Sequence, residues 1–240
     1  MGTEDRRTEW FVPSVGPLKL RMCIGLLFLP YTGMVLAYTV IGSMMAEHIH
    51  WDRVGAIVVI YFLALGVGGH ALDALGSKGP KPWGSAFSRR GLVALAALSI
   101  VGAYSIGIYY MVVYTPLLWL IAIPEGFFLL AYNLEWFHGR FHTDAWFGIS
   151  WGGLPVLAGY VLQTNQISIA ALIVAASMAL LSLVEIKASR PYKMMKRACA
   201  ADGKTEDQDQ VQGLEAILKS VSLGIILLGA GLLTWRFSGS

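Results

Sequence analysis

Apolar residues run through this chain in blocks of about twenty, each long enough to cross a bilayer core of roughly 30 Å as a helix. The blocks cover about Leu20 to Ala46, Val54 to Leu75, Gly91 to Tyr114, Pro116 to Glu135, Asp144 to Gln163, Ile167 to Ile186 and Ala216 to Trp235. Pro30 predicts a kink in the first, because a proline withdraws a backbone donor that neighbouring helices must make good. Thr115-Pro116 predicts a tight turn into the fourth, and Asp144 an N-cap for the fifth. Thr164-Asn165-Gln166 is a short uncharged link, whereas residues 187–214 form a polar stretch predicted as a loop. The expectation is an all-α polytopic membrane protein of seven transmembrane helices: a polar segment 1–18, then one helical domain over 19–236.

Composition strengthens that expectation. Of 240 residues, 56% are hydrophobic and only 14% charged, against about 25% charged in soluble domains. Mean hydropathy is +0.60. The first eighteen residues carry Glu4, Asp5, Arg6, Arg7 and Glu9 without an apolar core, so no cleavable signal peptide is read there. Cys23 and Cys199 stand alone and suggest neither a disulfide framework nor a zinc site. With seven spans, all of the 18 Lys and Arg residues except Arg53 and Arg236 fall on one side. That asymmetry predicts a cytoplasmic N-terminus and a C-terminus across the cell membrane. Membrane lipids are the expected surroundings, and no nucleic-acid partner is expected.

Three polar clusters then fall at the ends of helices on the predicted cytoplasmic side: Gly68 to Asp73 leading to Lys78 and Lys81, Tyr132 to Asp144, and Glu185 to Tyr192. His70 and Asp73 share a helical face at i, i+3. Ionisable groups within a span are expensive and default to functional candidates, although a carboxylate in the last turn can also serve as a simple interfacial ion pair. Glu135, His138 and His142 would share a face at i, i+3, i+7 if the helix ran on past Gly139. Such a set, with His70, Asp73 and Asp144, has the donors for a metal site; the plainer reading is an aromatic interfacial belt of Trp136, Phe137, Phe141 and Trp146. Glu125, beside Pro124, predicts a structural hydrogen bond to Tyr104, Tyr109 or Tyr110. Lys187, Arg190, Lys193, Lys196 and Arg197 suit a diphosphate or, equally, anionic lipid.

Layout and the stretch Ala131-Tyr-Asn through Arg140, continued by Trp146 to Tyr160, resemble the UbiA superfamily of intramembrane prenyltransferases. The resemblance implies a helical bundle that binds an isoprenoid diphosphate at the cytoplasmic face through magnesium. It places catalysis on Asp73, Glu135 and His70, and metal binding on these with His142 and Asp144. Tyr132, Asn133, Arg140, Lys187 and Arg190 would hold the diphosphate, with the tail among the second to fifth helices. This chain departs from the family where His70-Ala-Leu-Asp73 replaces the first Asp-rich motif and Glu185-Ile-Lys-Ala-Ser189 the second. It also has fewer helices. Two rival readings therefore stand beside the first. One is a metalloenzyme with a transition metal at His70, Glu135, His138 and His142. The other is a non-catalytic lipid- or quinone-binding subunit, completed by a second copy or a partner membrane chain.

Overall fold

The computed structural model describes residues 9–76, 87–202 and 208–239. Among them every regular element is helical, and seven helices are long and apolar enough to span a membrane: α1 (Leu18–Met44), α2 (Trp51–Gly76), α3 (Arg89–Val113), α4 (Pro116–Asn133), α5 (Asp144–Thr164), α6 (Ile169–Asp202) and α7 (Gln208–Ser238). The chain is an integral membrane protein with an all-α polytopic fold. Lys78 and Lys81 lie outside the described residues.

Central in the bundle is α1, packed against α2, α5, α6 and α7, while α3 and α4 flank α2. Close approach between α1 and α5 depends on two glycines. A Cβ on Gly42 would run into the Val156 carbonyl, and one on Gly159 into the Thr39 carbonyl. Small residues of this kind let helix backbones touch where lipid supplies no hydrophobic drive. Interhelical hydrogen bonds join α1 to α6, Tyr38 to Ser182 at 3.0 Å and Tyr31 to Ser189 at 3.2 Å. Outward faces such as Leu98, Val101 and Val112 on α3 remain exposed, as a lipid-facing surface requires.

Several local features differ from expectation for identifiable reasons. The break in α1 falls at Phe28 (φ 45°), not at Pro30, because a proline near the start of a helix forfeits no bond. Thr143, not Asp144, caps α5; its Oγ1 accepts from the Trp146 N–H at 3.4 Å. The polar stretch 187–214 is helical over most of its described residues, since α6 runs to Asp202 and α7 starts at Gln208. Lys219 pairs with Glu215 one turn away at 2.7 Å, and Lys196 approaches the same carboxylate from α6 at 3.8 Å.

Two helices contain π-helical turns, Phe62–Gly69 in α2 and Gly148–Gly153 in α5. Wider turns of this kind recur at functional sites because they re-aim the side chains that follow. Here they deliver His70 and Trp151 to the same place.

Candidate functional site

Where α1, α2, α4, α5 and α6 end on the face that bears the α2–α3 and α4–α5 connections, they enclose a cleft of about 730 Å³ of atom-free space, mouth included. His70 forms its floor. The imidazole is sandwiched between Phe28, stacked at 4.7 Å, and Trp151 at 5.4 Å, with Nε2 3.3 Å from the Thr32 hydroxyl. Asp73, one turn further along α2, lies on the wall. Tyr132 and Asn133 close the last turn of α4, where the Asn133 amide donates back to the Leu129 carbonyl at 2.8 Å.

The chain then turns sharply. Glu135, Phe137 and His138 all adopt positive φ (51°, 54° and 59°), followed by Gly139 at 77°. For side-chain-bearing residues each such conformation costs about 1 kcal/mol. The turn corrects the expected common face of Glu135, His138 and His142, because α4 has stopped at Asn133. Glu135 and the exposed His138 and Arg140 are left off the cleft wall, while His142 folds back into it. The His142 Nδ1–H donates to the Tyr132 carbonyl at 2.9 Å, and its ring stacks on Tyr132 at 4.3 Å. That bond leaves Nε2 as the ring's remaining acceptor.

Positive charge comes from α6. Arg190 lines the cleft and pairs with Asp144 at 3.0 Å, so Asp144 serves the site through the guanidinium. Lys193, three residues on, lies over the rings of Phe28 and Tyr31 at 5.5 and 5.9 Å. Lys187 points elsewhere and is exposed. Glu185, placed by sequence at the end of a helix, sits instead inside α6, 3% exposed and off the cleft wall, with Oε1 lacking a hydrogen bond among the described residues.

Six expected site residues thus come together: His70, Asp73, Tyr132, Asn133, His142 and Arg190. The aromatic half of the cleft, Phe28, Tyr31, Phe147 and Trp151, is absent from the expected set. Its signal was available in part, since Trp151 lies in the glycine-rich stretch of α5. Among the described residues no group of three or more His, Cys, Asp or Glu stands close enough to hold a metal ion. Asp73 is the one carboxylate on the cleft wall.

Beyond the floor lies a second, half-open chamber between α2, α3 and α4, about 560 Å³ of atom-free space with its mouth included, walled by apolar side chains apart from Tyr61, Tyr104 and Glu125. The two spaces adjoin at Gly69. A Cβ there would be 3.5 Å from both Leu129, which lines the chamber, and Trp151, which lines the cleft. Glu125 takes its hydrogen bond from the Tyr61 hydroxyl at 2.8 Å; Tyr104 donates instead to the Ala122 carbonyl at 2.9 Å, and Tyr110 to Asp52 at 3.2 Å.

Comparison of the chain with protein-family models, curated proteins and solved structures finds no match in any of the three.

Proposed function

We propose that this is a UbiA-like membrane protein that binds an isoprenoid diphosphate, with its head in the cleft and its tail passing Gly69 toward the chamber, and that its activity is prenyl transfer. The observation that carries the reading is the juxtaposition of a polar, cation-bearing cleft with a half-open apolar chamber. Arg190 and Lys193 would neutralise the diphosphate, Tyr132 and Asn133 would orient it, and the aromatic rings would shield its first carbons from water. The orientation that fits is a cytoplasmic N-terminus and cleft, in the cell membrane, with the basic loops on the inner side.

Magnesium, implied by the resemblance, needs several converging oxygen ligands. Among the described residues the cleft wall offers one carboxylate, Asp73; Asp144 is engaged by Arg190 and Glu135 lies off the wall. These residues do not make a magnesium cage. The same scarcity of acids favours a second reading, a non-catalytic carrier of isoprenoid lipid.

The test is binding of labelled geranylgeranyl diphosphate to protein in lipid nanodiscs, followed by incubation with a panel of acceptors. Affinity above that for inorganic diphosphate and for geranylgeraniol is expected, with loss on Arg190→Ala. Equal affinity for all three probes refutes the amphiphile reading. Tight binding without release of diphosphate selects the carrier.

A further inference from the structure

The apolar chamber contains a polar feature that the diphosphate does not explain. Glu125 lies midway along α4, between ends that reach opposite faces of the bundle, where an ionisable side chain is costly unless it has work to do. One carboxyl oxygen, Oε1, is occupied by the Tyr61 hydroxyl. Among the described residues the other accepts nothing, although the side chain lines the half-open apolar cavity between α2, α3 and α4. Tyr104 cannot help, because its hydroxyl is spent on the Ala122 carbonyl, held there by the absence of a side chain on Gly126. The carboxyl thus braces α4 to α2 through one oxygen and leaves the other on the cavity wall.

We infer that the chamber binds an apolar molecule carrying a hydroxyl group, a lipid alcohol or phenol, whose O–H donates to Glu125. Among the described residues the other polar groups on the walls, the Tyr61 and Tyr104 hydroxyls, already donate to Glu125 and to the Ala122 carbonyl, so the recognition is of one donor on an otherwise hydrocarbon body. An acceptor in such a place discriminates strongly, because a ligand lacking the donor leaves a desolvated oxygen unpaired. The inference rests on the function proposed above only for the apolar character of the ligand, not for its diphosphate.

The experiment compares farnesol with farnesyl methyl ether, which keeps the skeleton and the oxygen but cannot donate. Binding is measured to nanodisc-embedded protein by displacement of a fluorescent isoprenoid. Wild type is expected to prefer farnesol about tenfold, the loss of one hydrogen bond to a buried acceptor. Glu125→Leu should abolish the preference. Glu125→Gln, close to isosteric, should shrink it below about threefold, because its amide can donate to the ether oxygen. Arg190→Ala, which disables the cleft, should leave the preference intact. Equal binding of the two probes by wild type overturns the inference, as does a preference that survives in both Glu125 variants. A preference abolished by Arg190→Ala also overturns it, since the hydroxyl would then sit in the cleft. If Arg190→Ala destroys diphosphate binding while the farnesol preference persists, the two sites are separate.

Discussion

Arg190→Ala separates a binding role from a structural one. The Arg190 and Asp144 side chains are 46% and 30% exposed, so their 3.0 Å ion pair is a partly solvent-screened contact. Such pairs contribute about 0–1 kcal/mol, which in a chain of this size lowers Tm by about 2–4 °C or less. Toward a ligand the arithmetic differs. A hydrogen bond from a cation to a phosphate oxygen contributes about 1.5–3 kcal/mol, and each 1.4 kcal/mol is tenfold in affinity. Removal of Arg190 should therefore weaken isoprenoid diphosphate binding about 10- to 150-fold while Tm barely moves. Lys187→Ala is the control, because Lys187 carries the same charge on the same helix but stands exposed and off the cleft wall. Both variants would be titrated with labelled ligand in neutral nanodiscs at two salt concentrations, beside a thermal-unfolding assay. A Kd for Arg190→Ala within twofold of wild type refutes the assignment. So does an equal loss in Lys187→Ala, which would point to diffuse surface charge instead.

Other perturbations probe the remaining parts. Gly159→Ala should part α1 from α5 at the Thr39 carbonyl and cost about 1–3 kcal/mol, seen as lower Tm and lower yield; an unchanged Tm refutes the packing argument. Glu135→Gly relieves a residue held at φ 51° and should stabilise by about 0.5–1 kcal/mol once the entropy of glycine is counted, with diphosphate affinity unchanged; a marked loss of affinity would return Glu135 to the site. Trp151→Ala removes one side of the His70 sandwich at the junction of cleft and chamber and should weaken long prenyl ligands more than inorganic diphosphate; equal losses would count against a tail passing there. Arg140→Cys, exposed on the α4–α5 turn, should react with a membrane-impermeant maleimide in inverted vesicles and not in intact cells. The opposite pattern reverses the orientation.

The helices were legible because a bilayer forces every span to satisfy its own backbone hydrogen bonds, so length and hydropathy alone mark them. The cleft was legible where a polar residue closes an apolar run: His70 and Asp73 on α2, Tyr132 and Asn133 on α4, Arg190 on α6. It became hard to read where the backbone leaves the helix ahead of its marker. Gly139 announces a break, but Glu135, Phe137 and His138 before it give no sign of the left-handed turn that takes two of them off the site and brings His142 back. The extension of α6 to Asp202 was missed for the opposite reason. Charged residues past the membrane boundary look like a loop to a hydropathy count, yet Lys, Arg, Met and Ala are good helix formers.

The charge balance of the cleft bears on how a diphosphate would leave. Among the described residues one carboxylate, Asp73, and two cations, Arg190 and Lys193, line the cleft, an inversion of an acid-rich site that works through bound metal. Cations held by the protein keep their positions whether or not ligand is present, so they act as preorganised stabilisers of the charge that grows on a departing phosphate oxygen. The two are not equivalent. Arg190 is held by Asp144, which fixes its direction but cancels part of its field, whereas Lys193 leans on the faces of Phe28 and Tyr31. Arg190 offers a planar fork that can hold two phosphate oxygens, whereas Lys193 is a point charge on a flexible stem that can follow the oxygen on which charge grows. Turnover should therefore depend more on Lys193, and ground-state affinity more on the planar, pre-aimed Arg190. A kcat that falls further in Lys193→Ala than in Arg190→Ala, with the order of KM effects reversed, is the outcome this arrangement demands; matched effects on both constants would mean the two cations act only as a pooled positive charge.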